Sequence, residues 1–135
     1  AKELAHSLHS ISNNGVNGIQ LVGHSQGGAI TASALRYAEK AGLSLNALSG
    51  GGVSLHGAPV NVWLARSKIV DQTGVNIVSR AQFGDAVHVL GGLNISNPLE
   101  VVISLIRSPA LMSSDMSVSP HSLPCVGTTS LVCRY

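Results

Sequence analysis

Ile19-Gln20-Leu21-Val22-Gly23-His24-Ser25-Gln26-Gly27-Gly28 is the stretch whose reading decides the fold. Residues 18 to 23 carry the branched and apolar side chains of a short strand that runs straight into glycine. From Gly28 to Lys40 the sequence is rich in alanine and other good helix formers, and Gly42 marks a C-terminal stop. A serine therefore sits where a strand turns sharply into a helix. Small neighbours are expected on both sides of it, because side chains at Gly23 and Gly27 would collide with the helix and strand backbones.

Working outward, Leu4, Leu8 and Ile11 recur at helical spacing over residues 3 to 12, and Asn13-Asn14-Gly15 closes that helix. Downstream, Gly50-Gly51-Gly52 separates an ambiguous apolar stretch from Val53-Ser54-Leu55-His56, which reads as a strand ended by Gly57-Ala58-Pro59. Val60, Trp63, Leu64 and Ser67 fall at helical offsets, and residues 74 to 78 read as a further strand. Strands alternating with helices through connections of about a dozen residues predict an α/β fold, a parallel sheet flanked by helices. Past Asp85 the pattern weakens. Val87-His88-Val89-Leu90 reads as a short strand or a buried loop, and Pro98 opens an apolar stretch over residues 99 to 106. The serine- and proline-rich residues 113 to 124 have the composition of a loop.

Composition bounds the function. The 135 residues are 44% apolar and 10% charged, with a formal net charge of +2, which suits one domain over residues 1–135 with a single core. The 8 basic and 6 acidic residues are scattered without a run of three like charges, which argues against nucleic acid as a partner. Val101 to Ile106 stops at Arg107, far short of the roughly 20 apolar residues that span a bilayer. The first residues lack a charged-then-apolar leader pattern, so an N-terminus set by processing or by a chosen boundary is expected. No His, Cys or Asp cluster has metal spacing, and the glycine runs lack the Lys-Ser/Thr of a phosphate loop, so neither metal nor nucleotide cofactor is expected.

The chemistry centres on Ser25. A serine hydroxyl is a poor nucleophile at neutral pH, so a histidine must take its proton and a carboxylate must orient that histidine. The backbone amide of Gln26, at the start of the helix, is placed to donate to an oxyanion. If the turn is that of an α/β-hydrolase, the nucleophile is followed in the chain by its acid and then its histidine, which removes His6, His9, Glu3 and, being inside the turn itself, His24. Asp71 precedes the 74 to 78 strand and falls at the wrong edge of the sheet. Asp85 follows it and is the favoured acid, with Asp115 and Glu100 as alternates and helix capping as the competing role. His121 on the late loop is the favoured base; His88 is its rival, and His56 reads as a residue that orients a loop. A purely structural strand-to-helix turn is the alternative reading of the whole motif.

Gly23-His24-Ser25-Gln26-Gly27-Gly28 resembles the nucleophile elbow of the α/β-hydrolases, in particular lipases with Gly-His-Ser-x-Gly-Gly. Gly57-Ala58-Pro59 looks like the corner that ends the next strand in class 3 lipases. Asp85-Ala86-Val87 is similar to their acid segment, and Pro120-His121-Ser122 to the setting of their histidine. The likeness runs in family order through residues 18 to 123. It implies a partial α/β-hydrolase fold and a serine ester hydrolase of lipase or phospholipase type, acting on a lipid or other apolar acyl ester through Ser25, Asp85 and His121. Residues 99 to 106 would then be a lid or lipid-facing helix, or else ordinary core. The alternative is an inactive hydrolase-derived binding domain.

The chain departs from that family at its front, where 22 residues precede Gly23 and no loop for a second oxyanion donor can be assigned. The expectation is a C-terminal part of a longer hydrolase, completed by an upstream domain or a second chain. Its layout also resembles toxin domains of exported bacterial surface proteins, which would imply a secreted or cell-surface setting and an immunity-protein partner.

Cys125 and Cys133 enclose seven residues, a spacing that a single tail-pinning disulfide suits in an exported protein; two free thiols are the alternative. Intact mass should rise by about 2 Da on reduction, one hydrogen for each sulfur of the bond. An unchanged mass would remove the disulfide.

Overall fold

The structure, a computed structural model, describes residues 1–61, 74–82, 85, 87–93, 98–107 and 133–134. Helix α1 (Lys2–Asn13) leads to strand β1 (Gln20–His24), which runs into helix α2 (Gln26–Lys40). A 3-10 turn at Asn46–Leu48 precedes β2 (Gly52–His56), and β3 (Ile77–Gln82) follows. A π-helical turn at Val87–Gly91, helix α3 (Pro98–Arg107) and the short β4 (Cys133–Arg134) complete the described elements.

β1, β2 and β3 form a parallel sheet in that order, and β4 adds to β3 antiparallel. The expected parallel α/β sheet flanked by helices is present. Leu21, Val53 and Ile77 share one cross-strand row, and all three join a core completed by Leu8 of α1 and Leu35 of α2. Every residue of β2 is buried, as suits a strand with a neighbour on each side. β1 lies at an edge among the described strands, and Val22, on the face away from that core, is 51% exposed.

The apolar positions of α1 face inward as their spacing predicts, with Leu4 partly buried and Leu8 buried. Two side chains then tie this helix to the turn ahead of β2. His9 Nδ1 accepts the Ser44 N–H at 2.8 Å, and Ser12 Oγ accepts the Ala47 N–H at 2.9 Å. Residues read as ambiguous are thereby fixed as a 3-10 turn.

Two expectations are corrected. The third strand lies at 77–82, since Gly74 adopts φ +67° and Val75 is already buried in the core ahead of the strand. Residues 87–90 are neither strand nor loop but part of the π-helical turn. Of the two readings left open for residues 99 to 106, α3 takes that of a surface helix and not of core, with Leu99, Val102, Leu105 and Ile106 each more than half exposed. The expected helix near Trp63 lies outside the described residues, as do Asp71, Asp115, His121 and Cys125.

Candidate active site at the strand-to-helix turn

Ser25 occupies φ +52°, ψ −125°, a conformation that a residue with a Cβ rarely adopts. Such a backbone costs about 1–3 kcal/mol and persists only when its surroundings impose it. Those surroundings are explicit. The Ser25 N–H donates to the His56 carbonyl at 2.9 Å, and the Ser25 carbonyl accepts the Gly28 N–H at 3.0 Å. The Ser25 hydroxyl makes no cap bond to α2, so helix capping does not consume it. Gln26 is the first helical residue, where backbone amides have no preceding intrahelical carbonyl and the helix dipole is positive.

Close packing closes the turn from below. A Cβ on Gly23 would lie 2.8 Å from the Gly28 Cα and 2.9 Å from Thr31 Oγ1. A Cβ on Gly28 would run into the Ala58 Cβ of the Gly57-Ala58-Pro59 corner. Gly27, expected to be sterically required, faces open space: nothing lies within 4 Å of an added Cβ. The required pair is Gly23 and Gly28.

Asp85 lies beyond the carboxyl end of β3 and is 1% exposed. Its Oδ1 accepts the backbone N–H groups of Val87 at 3.0 Å and His88 at 3.3 Å, so it caps the π-helical turn. These two bonds use one carboxylate oxygen. The turn packs against the same corner as the elbow, since a Cβ on Gly91 would come 3.0 Å from Pro59 Cβ. Ser25, the Ala58-Pro59 corner and the turn capped by Asp85 thus form one contiguous region. His88 is half-buried within that turn, His6 pairs edge-on with Tyr37, and His9 is held by Ser44.

A group the sequence reading missed lies alongside. His24, His56 and Arg80 are Cα partners in one row across β1, β2 and β3, a match that only the strand register shows. Burial, then the positive charges of Arg80 and His24, lower the pKa of His56 and hold it toward its neutral form. Among the described residues no group of three or more His, Cys, Asp or Glu is placed to hold a metal ion, and no helix is long and apolar enough to cross a membrane.

The fold and site define an α/β protein whose parallel sheet carries a strained serine between a strand and a helix N-terminus. Comparisons with protein-family models, curated proteins and solved structures give no match.

Two predictions follow from these contacts. Gly28→Ala should lower stability by about 1–3 kcal/mol through overpacking against Ala58, whereas Gly27→Ala should leave it unchanged or raise it by up to about 1 kcal/mol. Urea denaturation of both variants checks this, and equal losses would contradict the packing assignment. For His56 the lowered folded pKa means that the folded state binds fewer protons than the unfolded one. Its contribution is full above the unfolded value of 6.5 and is lost as pH falls toward the folded value. The urea midpoint should drop between about pH 7.5 and pH 5.5. His56→Gln should shrink that drop, and a drop of unchanged size would refute the assignment.

Proposed function

We propose that the protein is a serine ester hydrolase of lipase type that acts on apolar acyl esters through an acyl-enzyme. The strained backbone of Ser25 carries this reading, because it lifts a hydroxyl not used in capping to the carboxyl edge of a parallel sheet beside a helix N-terminus. In the proposed reaction His121 takes the Ser25 proton as the hydroxyl oxygen attacks the ester carbonyl. Asp85 orients His121, and the Gln26 amide donates to the oxyanion. Collapse of the tetrahedral intermediate expels the alcohol, which takes the proton from His121. Water, activated by His121, then releases the acid and restores Ser25. The exposed apolar stripe of α3, with Leu99, Val102 and Ile106 at helical spacing, supports an apolar substrate.

One observation favours a second reading, a hydrolase-derived binding domain. Asp85 already has a structural role as the cap of the π-helical turn.

A fluorophosphonate probe separates the two. The wild-type chain should be labelled covalently, and Ser25→Ala, with an unchanged circular dichroism spectrum, should lose the label. Labelling that persists in Ser25→Ala would remove the nucleophile assignment. A folded wild-type protein that takes no label would favour the binding domain.

A further inference from the structure

The segments ahead of β2 and β3 enclose a cavity of about 310 Å³ at the amino edge of the sheet, lined by residues 45–46, 48–52 and 74–76. The five residues of β2 span about 13 Å at roughly 3.3 Å each, so the cavity lies a full strand length from Ser25, which follows the carboxyl end of β1. Open parallel sheets hold their reacting ligands at the carboxyl edge, so this space is separate from the candidate active site.

The cavity exists because the ladder between β2 and β3 starts late. Its first rung is the bond from Val53 N–H to Asn76 O at 2.8 Å. Gly52, at φ +115°, sends its own N–H to Ile19 O at 3.3 Å, and a Cβ there would meet the Asn76 carbonyl at 2.9 Å. Ahead of that contact the two chains part around the cavity. A Cβ added to Gly50 or Gly74 on its rim would meet nothing within 4 Å.

The lining defines the ligand. Leu45, Leu48 and Val75 belong to the buried core and give the cavity an apolar floor. Its polar side chains are Asn46, Ser49 and Asn76, and among the described residues neither carboxamide nor the hydroxyl has a hydrogen-bond partner. All three groups both donate and accept. No charged side chain lines the cavity, so a charged ligand would lose hydration there without a counter-charge. A neutral ligand with several hydroxyls, each a donor and an acceptor, matches the set. The volume is at the small end of ligand pockets, which run from roughly 300 to 1,000 Å³, and suits a molecule the size of one sugar ring.

We propose that this cavity binds one ring of a neutral carbohydrate through Asn46, Ser49 and Asn76. The inference does not rest on the hydrolase reading. It gives the protein a second, non-catalytic site, which holds it on a glycan without bringing the sugar to the serine.

The test is titration of the isotope-labelled full chain, followed by NMR through its backbone and carboxamide N–H signals. The probes are the methyl glycosides of glucose, galactose, mannose and N-acetylglucosamine, each to about 100 mM. At least one should shift the Gly50, Gly74 and Asn76 signals saturably. Asn46→Ala and Asn76→Ala change exposed residues, and the same spectra report that each variant is folded. Each should weaken binding of that sugar about two- to tenfold, as for the loss of a neutral hydrogen bond. Ser25→Ala should bind it unchanged.

Four glycosides without a saturable shift at these residues overturn the site. A saturable shift that is undiminished in both asparagine variants, or that Ser25→Ala abolishes, places the sugar elsewhere and also overturns it. Saturation by N-acetylglycine N-methylamide but by no glycoside would assign the cavity to peptide and refute the carbohydrate. None of these readouts depends on turnover at Ser25, so failure of the hydrolase reading and failure of the carbohydrate site are told apart.

Discussion

The backbone of Ser25 is the constraint on which the rest depends. A conformation disfavoured by about 1–3 kcal/mol cannot be held by a local turn alone. It is held by β2, through the bond from Ser25 N–H to His56 O, and by the corner after β2, which admits Gly28 against Ala58. The parallel register of β1 and β2 brings His24 opposite His56, which puts the accepting carbonyl in place. Burial of all five β2 residues gives that strand its fixed position. Strain at one residue is thus offset by packing spread over two strands and a helix.

The two faces of the sheet have different roles. Leu21, Val53 and Ile77 supply the apolar face under the helices, where burial contributes most of the stabilisation. The other face runs from the half-exposed Val22 to Ser54 and then to the histidine and arginine row. On that face Ser54 and His56 are buried, and the polar residues gather at its carboxyl end, where open α/β sheets bind ligands.

Much of this was legible in the sequence because it depends on local rules. The spacing of Leu4 and Leu8, the alanine-rich helix and the order of strand and helix all reflect periodicities that survive into the fold. Other features depend on long-range contacts. Gly27 and Gly28 look alike in sequence, and only the approach of Ala58 makes the second one indispensable. Val87 to Leu90 has the branched composition of a strand, but capping by Asp85 winds it into a helical turn. Arg80 carried no signal, since its importance lies in its register with His24 and His56. β4, with two residues, is too short for any alternation to mark it. Of the proposed catalytic residues, Ser25, Gln26 and Asp85 lie within the described residues and His121 does not.

The bond from Ser25 to His56 also sets an order in time. The chain leaves the ribosome from its N-terminus, so β1 and the first turns of α2 emerge about thirty residues before the carbonyl and the alanine that hold the elbow. Until β2 docks, nothing imposes the strained backbone, and Ser25 relaxes to an ordinary conformation. The nascent chain therefore carries a serine like any other. Its special geometry arises only with tertiary closure, so a partly synthesised or partly unfolded chain cannot present it.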